Sequence, residues 1–198
     1  MQFQFATAAQ ILFGNGKHKE IGSVAKLLGN KALLVTGGGG AKPERISDIL
    51  DKDDIAWQTF QVRGEPSIEI IQEAVKFARA ENCDFVIAFG GGSVLDSGKA
   101  ISAMLTNEGE LLDYLEVVGK GLPLQNRAAP MIAIPTTAGT GTEVTKNAVL
   151  LVTEKRVKVS MRSMLMIPSI ALVDPELTLS LPPSITASSG MDALTQVL

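Results

Sequence analysis

The chain has 198 residues, 45% of them hydrophobic and 20% charged, with a formal net charge of −3. That composition belongs to a globular chain long enough to bury a sizeable core, and nothing in it suggests disorder. A slightly acidic balance without a basic cluster argues against nucleic acid or an anionic membrane surface as the main partner, and no apolar run approaches the roughly 18 residues of a membrane span. The opening MQFQFATAAQ lacks the basic start and long apolar stretch of a secretion signal, so a cytoplasmic location is expected. With a single histidine and a single cysteine, the chain by itself builds no internal disulfide, zinc cluster or Cys–His nucleophile pair. His18 is expected to be solvated, and Cys83 to be quiet core.

In chain order, FQF and QILFG read as an extension or as edge strands, with an edge hairpin as the simplest alternative. Residues 18–28 place Ile21, Val24, Ala25 and Leu28 on one helical face, with Gly29 as the C-terminal cap. ALLVT (32–36) is a short apolar run of the kind expected of a strand buried on both faces. Residues 43–52 open on Pro and carry Ile46, Ile49 and Leu50, which predicts a second helix. IAWQTFQV follows as a less regular strand, then a helix over 68–81 capped by Ser67. DFVIAF (84–89) and MIAIP (131–135) are two more buried strands, the first followed by a helix whose inner face is Val94, Leu95, Gly98 and Ile101. Alternation of the two periods predicts an α/β class with a doubly wound, mainly parallel sheet, whose ligand sits outside the carboxyl ends of the strands.

Those ends carry the small residues. LLVT runs into GGGGAKP, VIAF into GGGSVLDSGKA, and IAIP into TTAGTGTEVT. In each loop, backbone N–H groups can approach a ligand closely. Gly90 to Ser93 also lie where a strand turns into a helix N-terminus, which is a phosphate position. The P-loop pattern fails, because Ser93 replaces its first glycine and Ala100 follows Lys99. The Rossmann fingerprint fails as well, with Leu95 in place of its third glycine. A dinucleotide remains open, with Thr136, Thr137, Thr140 and Thr142 as hydroxyl donors.

FGGGSVLDSGKA, IPTTAGTGTEVT, VDPELTLSLPP and GMDALT, in this order and at these spacings, resemble the iron-containing (group III) alcohol dehydrogenases, relatives of glycerol dehydrogenase and dehydroquinate synthase. The resemblance implies a Rossmann-like domain for NAD or NADP over residues 1–180, and over 181–198 the first helix of an all-helical metal-binding domain. It implies that Gly91, Gly92 and Ser93 meet the pyrophosphate, that Asp96 lies near the nicotinamide carboxamide, that Thr136, Thr137, Thr140 and Thr142 line the cofactor, and that Lys158 reaches the nicotinamide ribose. Asp192 is implied as first ligand of a divalent metal, usually iron, with zinc or nickel as alternatives. Gln196 stands four residues on, where the family places a histidine, and is implied as the second residue of the metal site. Gly37 stands where many members carry an aspartate that repels the 2′-phosphate of NADP, so with Lys42 nearby the site is expected to tolerate or prefer NADP. The implied activity is NAD(P)-dependent, metal-assisted interconversion of an alcohol and an aldehyde or ketone in a homodimer, with these 198 residues alone inactive. A dehydroquinate synthase-like lyase and a non-catalytic nucleotide-binding module are the alternatives.

Overall fold

The computed structural model describes residues 2–39 and 42–198. Its elements run β1 (Gln10–Phe13), a 3-10 turn over Lys17–Glu20 leading into α1 (Ile21–Ala25), β2 (Lys31–Gly37), α2 (Glu44–Lys52), β3 (Ala56–Val62), α3 (Ile68–Ala80), β4 (Phe85–Gly90) and α4 (Gly92–Thr106). They continue with β5 (Met131–Pro135), β6 (Asn147–Val152), β7 (Val157–Arg162), β8 (Ile170–Val173) and α5 (Pro183–Val197). Six strands pair in the order β1-β8-β5-β4-β2-β3, every pair parallel, and β6 and β7 form a separate antiparallel hairpin.

The central strands are the ones with unbroken apolar runs, as burial on both faces requires. Every residue of β4 and β5 is buried. On one face Leu33, Val86, Leu95 and Ile101 join a core beneath α3 and α4; on the other, Leu34, Phe85, Phe89 and Ile132 pack against Ile21, Ile46 and Leu50 of α1 and α2. Fully burying a side chain such as Phe85 contributes about 1.5–3 kcal/mol, and these two layers supply the driving force for the sheet. Ser67 caps α3 through its hydroxyl, which accepts from Ile70 N at 3.4 Å.

Three expectations change. The helix read over 18–28 is split. Residues 17–20 form a 3-10 turn, the α-helical part stops at Ala25, and Leu27 and Leu28 are held by tighter bonds to Val24 O and Ala25 O. Gly22 and Ser23, both weak helix formers, sit in its middle, and a Cβ on Gly22 would strike the Asp53 carboxylate. FQF forms no strand and is irregular with Phe3 and Phe5 exposed, whereas QILFG is the expected edge strand, β1, parallel to β8 and not a hairpin. His18 is not solvated. Its Nδ1 meets Asp174 Oδ2, and its side chain is only 12% exposed. Asp174 also accepts from Gly16 N (3.1 Å), His18 N (3.0 Å) and Glu176 N (3.0 Å), so one carboxylate clasps the end of β8 to the turn after β1. Among the described residues, no helix is long and apolar enough to cross a membrane.

Candidate functional site

The chain passes from β2 to β3 on one side and then returns to place β4 on the other side of β2. Ligands of doubly wound sheets bind at such a switch point. Here its walls are glycines for a steric reason. The Val94 side chain, in the first turn of α4, wedges between the two strand ends: a Cβ on Gly37 would lie 2.9 Å from Val94 Cγ2, and one on Gly90 only 2.6 Å from it. Deeper along α4, a Cβ on Gly98 would lie 2.6 Å from the Ala88 Cβ, so the helix approaches the sheet closely because that residue has no side chain. Gly91, in extended conformation, precedes the helix and caps it with no side chain. The first-turn N–H groups therefore point to the carboxyl edge of the sheet with their partial positive charge.

A trough runs along that edge. One part, of about 620 Å³, is lined by Gly37 to Gly39, Gln61 to Gly64, Gly90 to Val94 and Thr136. The other, of about 500 Å³, shares Gly92 and Ser93 with the first and adds Asp96, Thr137, Thr140, Thr142, Lys158 and Asp192. All ten residues assigned to the cofactor from the sequence line one part or the other. Lys42 is exposed and lines neither. Lys158 comes from β7 and pairs with Glu65 at 2.8 Å, both half exposed, so the ion pair is weak enough for a ligand to displace. The β6–β7 hairpin is placed here by packing on α4 and by the Leu151 N bond to Pro66 O at 2.8 Å.

Beneath the trough lies a group that the sequence did not disclose. Lys99 has no exposed surface, and its Nζ donates to Thr142 O (3.0 Å), Thr145 Oγ1 (3.1 Å) and Asn147 O, while standing 3.1 Å from Asp96 Oδ1. Asp96 Oδ2 accepts from Val149 N at 3.2 Å. Burial pushes the Lys99 ammonium below the ordinary lysine range, against the opposing pull of Asp96; burial likewise raises the Asp96 carboxyl, with Lys99 opposing. One cation thus ties α4 to the loop that carries Thr142. The GK pair offered a signal for it, because a lysine on the inner side of a helix otherwise facing the sheet must find acceptors.

Asp192 and Gln196, four apart on α5, are not brought together. Asp192 faces the 500 Å³ part of the trough. Gln196 lines an adjacent pocket of about 360 Å³ with Glu143 and Val173, and its Nε2 donates to Gly139 O at 3.0 Å. The one group of described residues with ligand atoms close enough for a metal ion is His18, Asp174 and Glu176, where four donors already occupy the Asp174 oxygens. Asp192 belongs to no such group. A lone carboxylate does not make a transition-metal centre.

Residues 8–175 match the family model described as iron-containing alcohol dehydrogenase. The chain belongs to the iron-containing alcohol dehydrogenase family. Among members of this family, choline dehydrogenase of Bacillus subtilis is 38% identical over 98% of the chain and 49% of its own length. Sulfoacetaldehyde reductase of Bilophila wadsworthia is 38% identical over 100% of the chain and 51% of its own. Two solved structures, a 1,3-propanediol oxidoreductase and the sulfoacetaldehyde reductase of Bifidobacterium kashiwanohense in complex with NAD+, each superpose with a TM-score of 0.90 at 35% identity. They cover 98% and 99% of the chain, and 51% and 52% of their own. The chain spans about half the length of the relatives it matches.

Proposed function

We propose that the chain is the cofactor-binding part of a nicotinamide-dependent oxidoreductase that interconverts an alcohol and an aldehyde or ketone. The observation that carries this reading is the trough crossing the switch point, with the side-chain-free N-terminus of α4 at its centre. A dinucleotide needs one anion site between two elongated pockets, and this is that shape. Gly91, Gly92 and Ser93 hold the pyrophosphate, and Thr136, Thr137, Thr140 and Thr142 line the cofactor. Asp96 and Lys158 receive the nicotinamide carboxamide and its ribose. Hydride passes between the ring and the carbon bearing the oxygen, and the contribution of these residues is to hold the ring in place and shelter it from water.

Asp192 is proposed as a ligand of the divalent metal that gives the family its name, iron first and zinc or nickel as alternatives. The described residues near it do not by themselves complete a metal centre. Residues 181–198 are proposed as the start of a second domain, supported by α5 having no buried residue. A homodimer is proposed through the β1 edge, where Ile11 and Phe13 are exposed. A cytoplasmic location suits the free, buried Cys83 thiol.

Calorimetric titration with NADH tests the cofactor reading. A Cβ on Gly92 would sit 3.3 Å from Thr140 Cγ2, so Gly92→Leu fills the centre of the trough and is expected to abolish binding. Unchanged affinity, with the fold intact by circular dichroism, would remove this loop from the site.

A further inference from the structure

The two halves of the trough differ in charge. The half that reaches α5 holds Asp96, Glu65, Lys158 and Asp192. Among the described residues that line the half beyond the switch point there is no carboxylate, and Arg63, at the end of β3, is the one charged side chain. If the nicotinamide lies with Asp96 and Lys158, and the pyrophosphate on residues 91–93, the adenosine must lie in the Arg63 half. A ribose with a free 2′-hydroxyl is ordinarily met there by a carboxylate at a strand end, and an arginine accommodates the 2′-phosphate. At the end of β2 stands Gly37, without a side chain, and at the end of β3 stands a guanidinium.

The guanidinium is positioned. Arg63 Nε donates to Gln61 Oε1 at 2.9 Å, and Gln61 Nε2 donates to Gly37 O at 3.3 Å, so a chain of two hydrogen bonds anchors the arginine to the end of β2. Its Cγ passes 3.9 Å from where a Cβ on Gly38 would stand, and a Cβ on Gly39 would meet nothing within 4 Å among the described residues. Arg63 forms no ion pair among the described residues. With Nε held by Gln61, the two terminal nitrogens are left to face a phosphate, whose geometry the planar fork matches.

We propose that Arg63 binds the 2′-phosphate of the adenosine ribose, so that the trough selects NADP(H) over NAD(H). This rests on the dinucleotide reading of the trough and adds the residue that distinguishes the two cofactors. Gln61 is the positioning residue that ties the Arg63 side chain to the end of β2.

Titration of the purified protein with NADP+ and with NAD+ tests it. Wild type is expected to bind NADP+ about tenfold or more tightly than NAD+, a typical effect of one charge-assisted contact. Arg63→Gln should lower that ratio about tenfold, and Arg63→Lys, which keeps the charge and loses the fork, should give an intermediate ratio. An unchanged ratio in Arg63→Gln, with both dinucleotides still bound, overturns the assignment of Arg63 and leaves the cofactor site standing. Binding of neither dinucleotide by folded wild-type protein overturns both.

Discussion

Replacing Lys99 by methionine should be among the most damaging single changes near the site. Methionine preserves most of the aliphatic stem, so the loss is electrostatic. The ammonium has no exposed surface and serves Thr142 O, Thr145 Oγ1, Asn147 O and the Asp96 carboxylate. Removing one member of a buried ion pair costs about 3–5 kcal/mol, because the remaining charge stays desolvated without its counterion. For a chain of this size each kcal/mol is about 2–4 °C, so the midpoint should fall by about 6–20 °C in scanning calorimetry. The deficit should also depend on pH in a defined direction. Burial already raises the Asp96 carboxyl, and Lys99 opposes that rise. Without Lys99 the folded-state value climbs further above the unfolded one. A group with a raised folded value contributes stability below its unfolded pKa and loses it as pH rises through the folded one. Lys99→Met should therefore be closer to wild type near pH 4 than near pH 8. A fall of less than about 3 °C at pH 8, or a deficit that shrinks as pH rises, would refute the view that this cation holds the loop to α4.

Gly37→Asp should shift cofactor selectivity toward NAD+ by placing a carboxylate beside Arg63 and the adenosine ribose. Because its Cβ would lie 2.9 Å from Val94 Cγ2, it should also cost about 1–3 kcal/mol in urea unfolding. Burial alone would raise the Asp174 carboxyl, but hydrogen bonds led by His18 outweigh it and hold the carboxyl below the usual range. A depressed carboxylate stabilises the fold above its unfolded pKa and loses that contribution as pH falls through the folded value. Asp174→Asn should therefore flatten the acid limb of a stability profile below about pH 4, and an unaltered limb would contradict the clasp. Asp192→Ala should lower the metal content of the purified protein in elemental analysis, whereas equal content would take Asp192 out of the metal site.

The amino-acid sequence by itself determines the alternation of strands and helices, since burial on both faces requires the apolar runs of β4 and β5 and the 3.6 period marks α3. It also determines the glycine-rich strand ends, and through its four motifs it identifies the family; the resemblance names ten residues that the structure finds along the trough, with Gly37 and Lys158 lying outside those motifs. Other features exist only in the tertiary structure. The edge pairing of β1 with β8, the β6–β7 hairpin that presents Lys158, and the Gln61–Arg63 arm at the end of β2 leave no periodic trace. Lys99 reads in sequence as part of an incomplete phosphate motif, His18 as a surface residue, and Gln196 as a neighbour of Asp192. Their partners lie 48, 156 and 57 residues away, at Asn147, Asp174 and Gly139. Periodicity records what neighbouring residues share along the chain. A buried charge or amide is settled by whichever acceptor the packed sheet brings within hydrogen-bond reach, and strand order decides which acceptor that is.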